Sequence, residues 1–162
     1  MRRFMGAEID KQKFLLKQMG AQVEVINSFM CYVTFNVKNT EIAYCYNVNK
    51  KGDYFLERIK PYPEVAGTFK SEEDVINIIY TDIEQFKNAT ESHDFSLFID
   101  INKKVSKSVR EFEDLYLYYN VPHEYTEEIK KKIDEIQKLI KKAKSESKRV
   151  YFKTEPKALE EK

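Results

Sequence analysis

Residues 95–143 carry two runs of apolar side chains spaced alternately three and four apart, with a proline between the runs. Phe95, Phe98, Val105, Val109, Phe112, Tyr116 and Tyr119 form the first run, interrupted only by Asn102. Ile129, Ile133, Ile136, Ile140 and Ala143 form the second. Such spacing keeps one face of an α-helix apolar turn after turn. The intervening Asn120-Val121-Pro122-His123 reads as a turn. The pattern therefore predicts a long antiparallel helical hairpin, about 91–119 and 124–147, with the isoleucines of the second helix turned inward. The stretch Phe95-Ser96-Leu97-Phe98-Ile99-Asp100-Ile101 also alternates as a strand would. Helix is preferred there because the same stripe continues into Val105 and Val109.

Ahead of this segment the periodicity is different. Ala7–Met19 sets Ile9, Leu15, Leu16 and Met19 near one face and is followed by Gly20, which predicts a helix over 7–19. From Gln22 to Lys60 the period falls to two. Gln22–Asn27, Phe29–Val37, Glu41–Val48 and Asp53–Lys60 read as strands rich in Val, Ile, Tyr, Phe and Thr. Lys38-Asn39-Thr40 and Asn49-Lys50-Lys51-Gly52 read as turns, the second with glycine in a left-handed conformation. Pro61-Tyr62-Pro63 is expected to end the last strand, because proline cannot donate to a ladder. Ser71-Glu72-Glu73-Asp74 opens a helix over 71–88, with Ser71 placed to cap and Asp74 as its acidic partner. Val75, Ile76, Ile79, Ile83 and Phe86 form its sheet-covering face.

The fold class expected is α+β. An antiparallel meander of three or four strands carries helices 7–19 and 71–88, and the helical hairpin packs on it or projects from it. The expected divisions are 1–90 for the sheet domain, 91–147 for the hairpin, and 148–162 for a short edge strand at Arg149–Lys153 and a charged tail. Acid-first pairs such as Glu127–Lys131, Glu128–Lys132 and Asp134–Lys138 support the last helix.

Function is far less legible. The chain has 162 residues and a net charge of +1, which argues weakly against a generic nucleic-acid binder. That balance hides an acidic middle: residues 71–102 hold 8 acidic and 1 basic side chain, whereas residues 103–162 hold 16 basic and 12 acidic. Abundant Lys, Ile, Asn, Glu and Tyr suggest an AT-rich genome, of a low-GC Gram-positive bacterium or one of its phages. No apolar leader and no long apolar run are seen, so the expected location is the cytoplasm, without a membrane partner. Cys31 and Cys45 are expected to be reduced.

No catalytic, metal or cofactor motif is present. His93 and His123 are too far apart along the chain's helices to share a site, and no paired Cys or His spacing suits zinc. Gly6, Gly20, Gly52 and Gly67 form no phosphate loop. The α-β-β-β-α order invites comparison with double-stranded-RNA-binding modules. These place lysines at the start of the second helix, where this chain has Ser71-Glu72-Glu73-Asp74, so the comparison fails.

Two surface constellations remain. Tyr116, Tyr118, Tyr119 and Tyr125 gather at the hairpin tip, and tyrosine offers a rigid amphipathic contact. Lys141, Lys142, Lys144, Lys148 and Arg149 form a basic ridge that suits phosphates. The expectation is a non-enzymatic protein-interaction protein that regulates, adapts or inhibits a larger machine. A phage-encoded inhibitor of a host defence or transcription system fits the size and composition. The alternative is a nucleic-acid binder using the lysine ridge.

Overall fold

The computed structural model describes residues 2–23 and 29–150, with side chains from residue 10 onward. Eight elements follow in order: α1 (Arg2–Gln18), β1 (Met30–Val37), β2 (Thr40–Val48), β3 (Tyr54–Lys60), β4 (Glu64–Phe69), α2 (Glu72–Ala89), α3 (Phe95–Tyr118) and α4 (His123–Glu146). The strands form one antiparallel sheet in the order β1-β2-β3-β4. The α+β class and the meander stand as the sequence predicts.

The sheet has four strands, within the expected three or four, but the last of them follows the prolines. Pro61 and Pro63 do end β3, and the Lys60–Pro61 peptide is cis. The chain then reverses and pairs again as β4 along the free edge of β3, where a leading proline has no ladder bond to lose. Within β4 the register shifts opposite Leu56 and Glu57, and Gly67 adopts a φ of 129°. A bulge with a backbone that only glycine takes easily explains why Glu64–Phe69 has little strand character in sequence.

The turns at the other end behave as read. Gly52 has a φ of 83°, and the Asn49 side-chain oxygen accepts from the amides of Lys51 and Asp53 at 2.8 and 2.9 Å. The Asp53 carboxylate then takes Lys70 at 2.7 Å. That bond, and the Asn49 side-chain amide donating to the same carboxylate at 3.3 Å, hold it below its ordinary value of 3.8.

Helix α2 begins with the expected cap. The Asp74 amide donates to Ser71 Oγ at 3.1 Å, and the Ser71 hydroxyl donates to the Asp74 carboxylate at 2.7 Å. Its Val75, Ile78, Ile79, Ile83 and Phe86 are buried against Val37, Ile42, Tyr44, Leu56 and Phe69 of the sheet. Each such aliphatic or aromatic side chain taken out of water contributes about 1.5–3 kcal/mol. This single interface is the core of the molecule.

Three other expectations are corrected. Helix α1 starts at Arg2, not residue 7, and does not pack on the sheet: Phe14, Leu15, Leu16 and Met19 are exposed. Helix α2 already fills the buried face, and Lys11, Lys13 and Lys17 leave the described part of α1 too polar to replace it. Of the proposed strand Gln22–Asn27, Gln22 and Val23 are not in a strand and residues 24–27 lie outside the described residues. Arg149 and Val150 are likewise not in a strand, and residues 151–153 lie outside the described residues.

Cys31 and Cys45 are free. They lie on adjacent strands, but Cys31 pairs with Tyr46 while Cys45 pairs with Tyr32. A one-residue offset puts their side chains on opposite faces of the sheet.

Candidate functional site

Residues 95–101 are helical, and α3 runs for 24 residues, as does α4. Only the first turns of α3 belong to the core. Phe95 and Ile99 pack on the buried cluster, and the Phe98 ring lies 5.9 Å from Tyr62 and 6.4 Å from Phe86. Beyond Asn102 the helix leaves the sheet. The rest of α3 and all of α4 form a projecting arm in which no described residue is buried.

The hairpin seam is therefore not closed as the spacing implied. The Tyr116 and Thr126 hydroxyls bond to each other beside the turn, but the two helices are not packed together along their length. Val105, Val109, Ile133, Ile136 and Ile140 are each at least half exposed, at 50–63%. The link accounts for this opening: Tyr119 is extended at φ −130°, ψ 146°, and Pro122 is extended at φ −58°, ψ 139°. Two extended residues separate the helix ends rather than folding them back tightly, and the residue before a proline is biased the same way. Asn102, the one polar residue of the α3 stripe, turns its amide back to the Phe98 carbonyl at 2.8 Å.

The tip carries the tyrosines that the sequence singled out. Tyr116, Tyr118, Tyr119 and Tyr125 are all exposed, so the turn does bring them to one end of the arm. The basic residues Lys141, Lys142, Lys144 and Lys148 are exposed near the far end of α4. Lys142 is within 4.0 Å of Glu146, and Lys132 bonds Glu135 at 3.1 Å. These replace the acid-first pairs expected for this helix. Arg149 follows α4 and does not extend the helical ridge.

A second constellation was not foreseen. Tyr44, Arg58 and Glu64 are cross-strand neighbours on β2, β3 and β4, and Asp82 of α2 descends onto them. Arg58 is only 7% exposed. Its Nη1 donates to both oxygens of Asp82, at 2.9 and 2.7 Å, and its Nη2 donates to Glu64. The Tyr44 hydroxyl donates to Asp82 at 2.7 Å.

Burial works against the Arg58 charge, and Asp82 more than restores it, so the group sits above its ordinary value. Burial, then the Asp82 carboxylate, pushes the Tyr44 phenol well above 10.0. The guanidinium also lies 4.6 Å from the Tyr62 ring centre and 5.0 Å from that of Phe86. Those rings are the ones that seat Phe98. The buried ions thus reach the root of the arm through two aromatic layers. A cleft of about 310 Å³ opens beside them, lined by Thr81, Gln85 and Val65 among others.

Among the described residues no three His, Cys, Asp or Glu side chains gather to hold a metal, and no helix is long and apolar enough to cross a membrane. No protein-family model matches the chain, and among curated proteins and solved structures none is similar to it. The fold and site define a class only in architecture: a one-helix-on-sheet unit with a projecting two-helix arm.

Proposed function

We propose that this chain is a non-enzymatic protein-interaction protein whose α3–α4 arm is its binding surface. One observation carries the reading. The apolar seam of α3 beyond Asn102 and most of that of α4 are left largely uncovered along two long helices, whereas α2 and the sheet close a continuous apolar core between them. Continuous exposed apolar surface of this extent is uncommon on a monomer and marks contact sites. The tip tyrosines add anchors at one end, and such side chains dominate binding hot spots. A role as regulator, adaptor or inhibitor follows from binding without chemistry.

The test is affinity capture from source cells with the intact chain and with Ile133→Asp/Ile136→Asp. Proteins retained by the first and lost by the second support the reading. Identical sets would overturn it.

The lysine ridge supports a second reading, because Lys141, Lys144 and Lys148 have no ion pair among the described residues. Titration of generic DNA and RNA with salt separates the two. Phosphate contacts give affinity that falls by about one log unit per log unit of salt for each contact. Retention of no nucleic acid at low salt removes this alternative.

A further inference from the structure

The geometry points to a second copy of this chain as the arm's partner, with α3 of each protomer packed on α4 of the other in a two-fold four-helix bundle. This rests on the reading of the arm as a binding surface and names its occupant.

Three observations select that occupant. The first is the width of the α3 stripe. Beside its seam positions, Ile101 and Leu115 extend the stripe on one side with Ser108 between them, while the other side carries Ile99, which packs on the core, then Ser106 and Glu113. A seam for one neighbour is narrow. A stripe this wide suits a helix that touches two others, as bundle helices do.

The second is area. Beyond Asn102 about 24 Å of α3 is free, beside about 36 Å of α4. Faces about 10 Å across give about 600 Å² per chain and about 1,200 Å² in all, at the lower end of the range of stable specific interfaces.

The third is charge. Lys130, Lys132 and Lys144 flank the α4 seam, whereas Glu113 is the charged residue flanking that of α3. Two α4 helices side by side would set lysines against lysines. Alternating α3 with α4 around the bundle keeps the α4 pair on a diagonal. Glu113 and Lys130 have no ion pair in the single chain. An antiparallel register aligned as at Tyr116 and Thr126 brings residue 113 of one helix beside residue 130 of its neighbour.

Sedimentation equilibrium on the full chain tests this from about 1 to about 100 µM, within the affinity range seen for interfaces of this size. The expected mass is that of two 19.3 kDa chains. Ile136→Asp should give a single chain with an unchanged core, since Ile136 is half exposed there. Glu113→Lys and Lys130→Glu should each weaken self-association at least about tenfold. An equimolar mixture of those two variants should restore the dimer, because each then faces its opposite charge across the interface. That recovery cannot come from pairing within one chain.

A single-chain mass for the unmodified protein throughout the range overturns the proposal. So does a dimer indifferent to all three substitutions, or charge variants that fail to recover on mixing. A monomer that still captures another protein through the arm would defeat this inference while leaving the proposed function standing.

Discussion

Arg58 shows how much of the molecule hangs on one side chain. Its charge is buried, and its carboxylate partners come from a neighbouring strand and a helix. Replacing it with methionine leaves Asp82 facing the interior without its cation, which costs about 3–5 kcal/mol for a buried pair broken on one side. The expected result is a fall in urea midpoint of that size, with Asp82→Asn added to Arg58→Met recovering part of it. Tyr44 gives a pH signature. Its folded phenol holds its proton above the ordinary 10.0, so the folded state binds a proton that the unfolded state has released. Stability from this group is therefore intact below pH 10 and falls as pH rises above it. The unmodified chain should lose more stability than Tyr44→Phe between about pH 9.5 and 11, as read by urea unfolding at each pH. None of this was legible in sequence. An arginine in an alternating strand reads as solvated, and residues 44, 58, 64 and 82 meet only once register and the α2 crossing are known.

Elements with strong periodicity were readable, and those held by geometry were not. Helices α2, α3 and α4 repeat apolar positions over five turns or more, so their existence and their limits follow to within a few residues. Strand β4 rests instead on a bulge and on Gly67, and neither has a hydrophobic period. Gly67→Ala should cost about 1–3 kcal/mol, because an alanine must hold an unfavourable φ there. Chemical denaturation measures it, and a neutral result would mean that the bulge relaxes freely. A period also says that a face will be covered without saying by what. The stripe on α4 predicted inward isoleucines, yet only Ile129, near the turn, is half-buried, and Ile133, Ile136 and Ile140 are at least half exposed. Ile136→Asp should consequently leave the melting temperature of a dilute sample within about 2 °C of the parent, well under the shift of 1 kcal/mol. Register likewise decides the thiols. Cys31 and Cys45 sit on opposite faces, so mild oxidant should not close a disulfide within one chain, and mobility on a non-reducing gel should stay unchanged.

The whole molecule divides mechanically at Asn102. Every buried residue among those described lies between Val37 and Phe86, and the first turns of α3 complete that cluster. A chain ended at Lys104 should keep its cooperative melt within about 5 °C of the full chain, roughly 1 kcal/mol for a domain of this size. Loss of the transition would show that the distal arm supports the core. Because α3 is gripped only at its first turns, it is a lever with a short seat. Over the about 30 Å from Phe98 to Tyr118, each degree of tilt moves the far end by about 0.5 Å. A ring shift too small to disturb the core would displace Tyr118 by several ångströms, so the stacking of Arg58, Tyr62 and Phe86 sets the aim of the tyrosines from the opposite end of the helix.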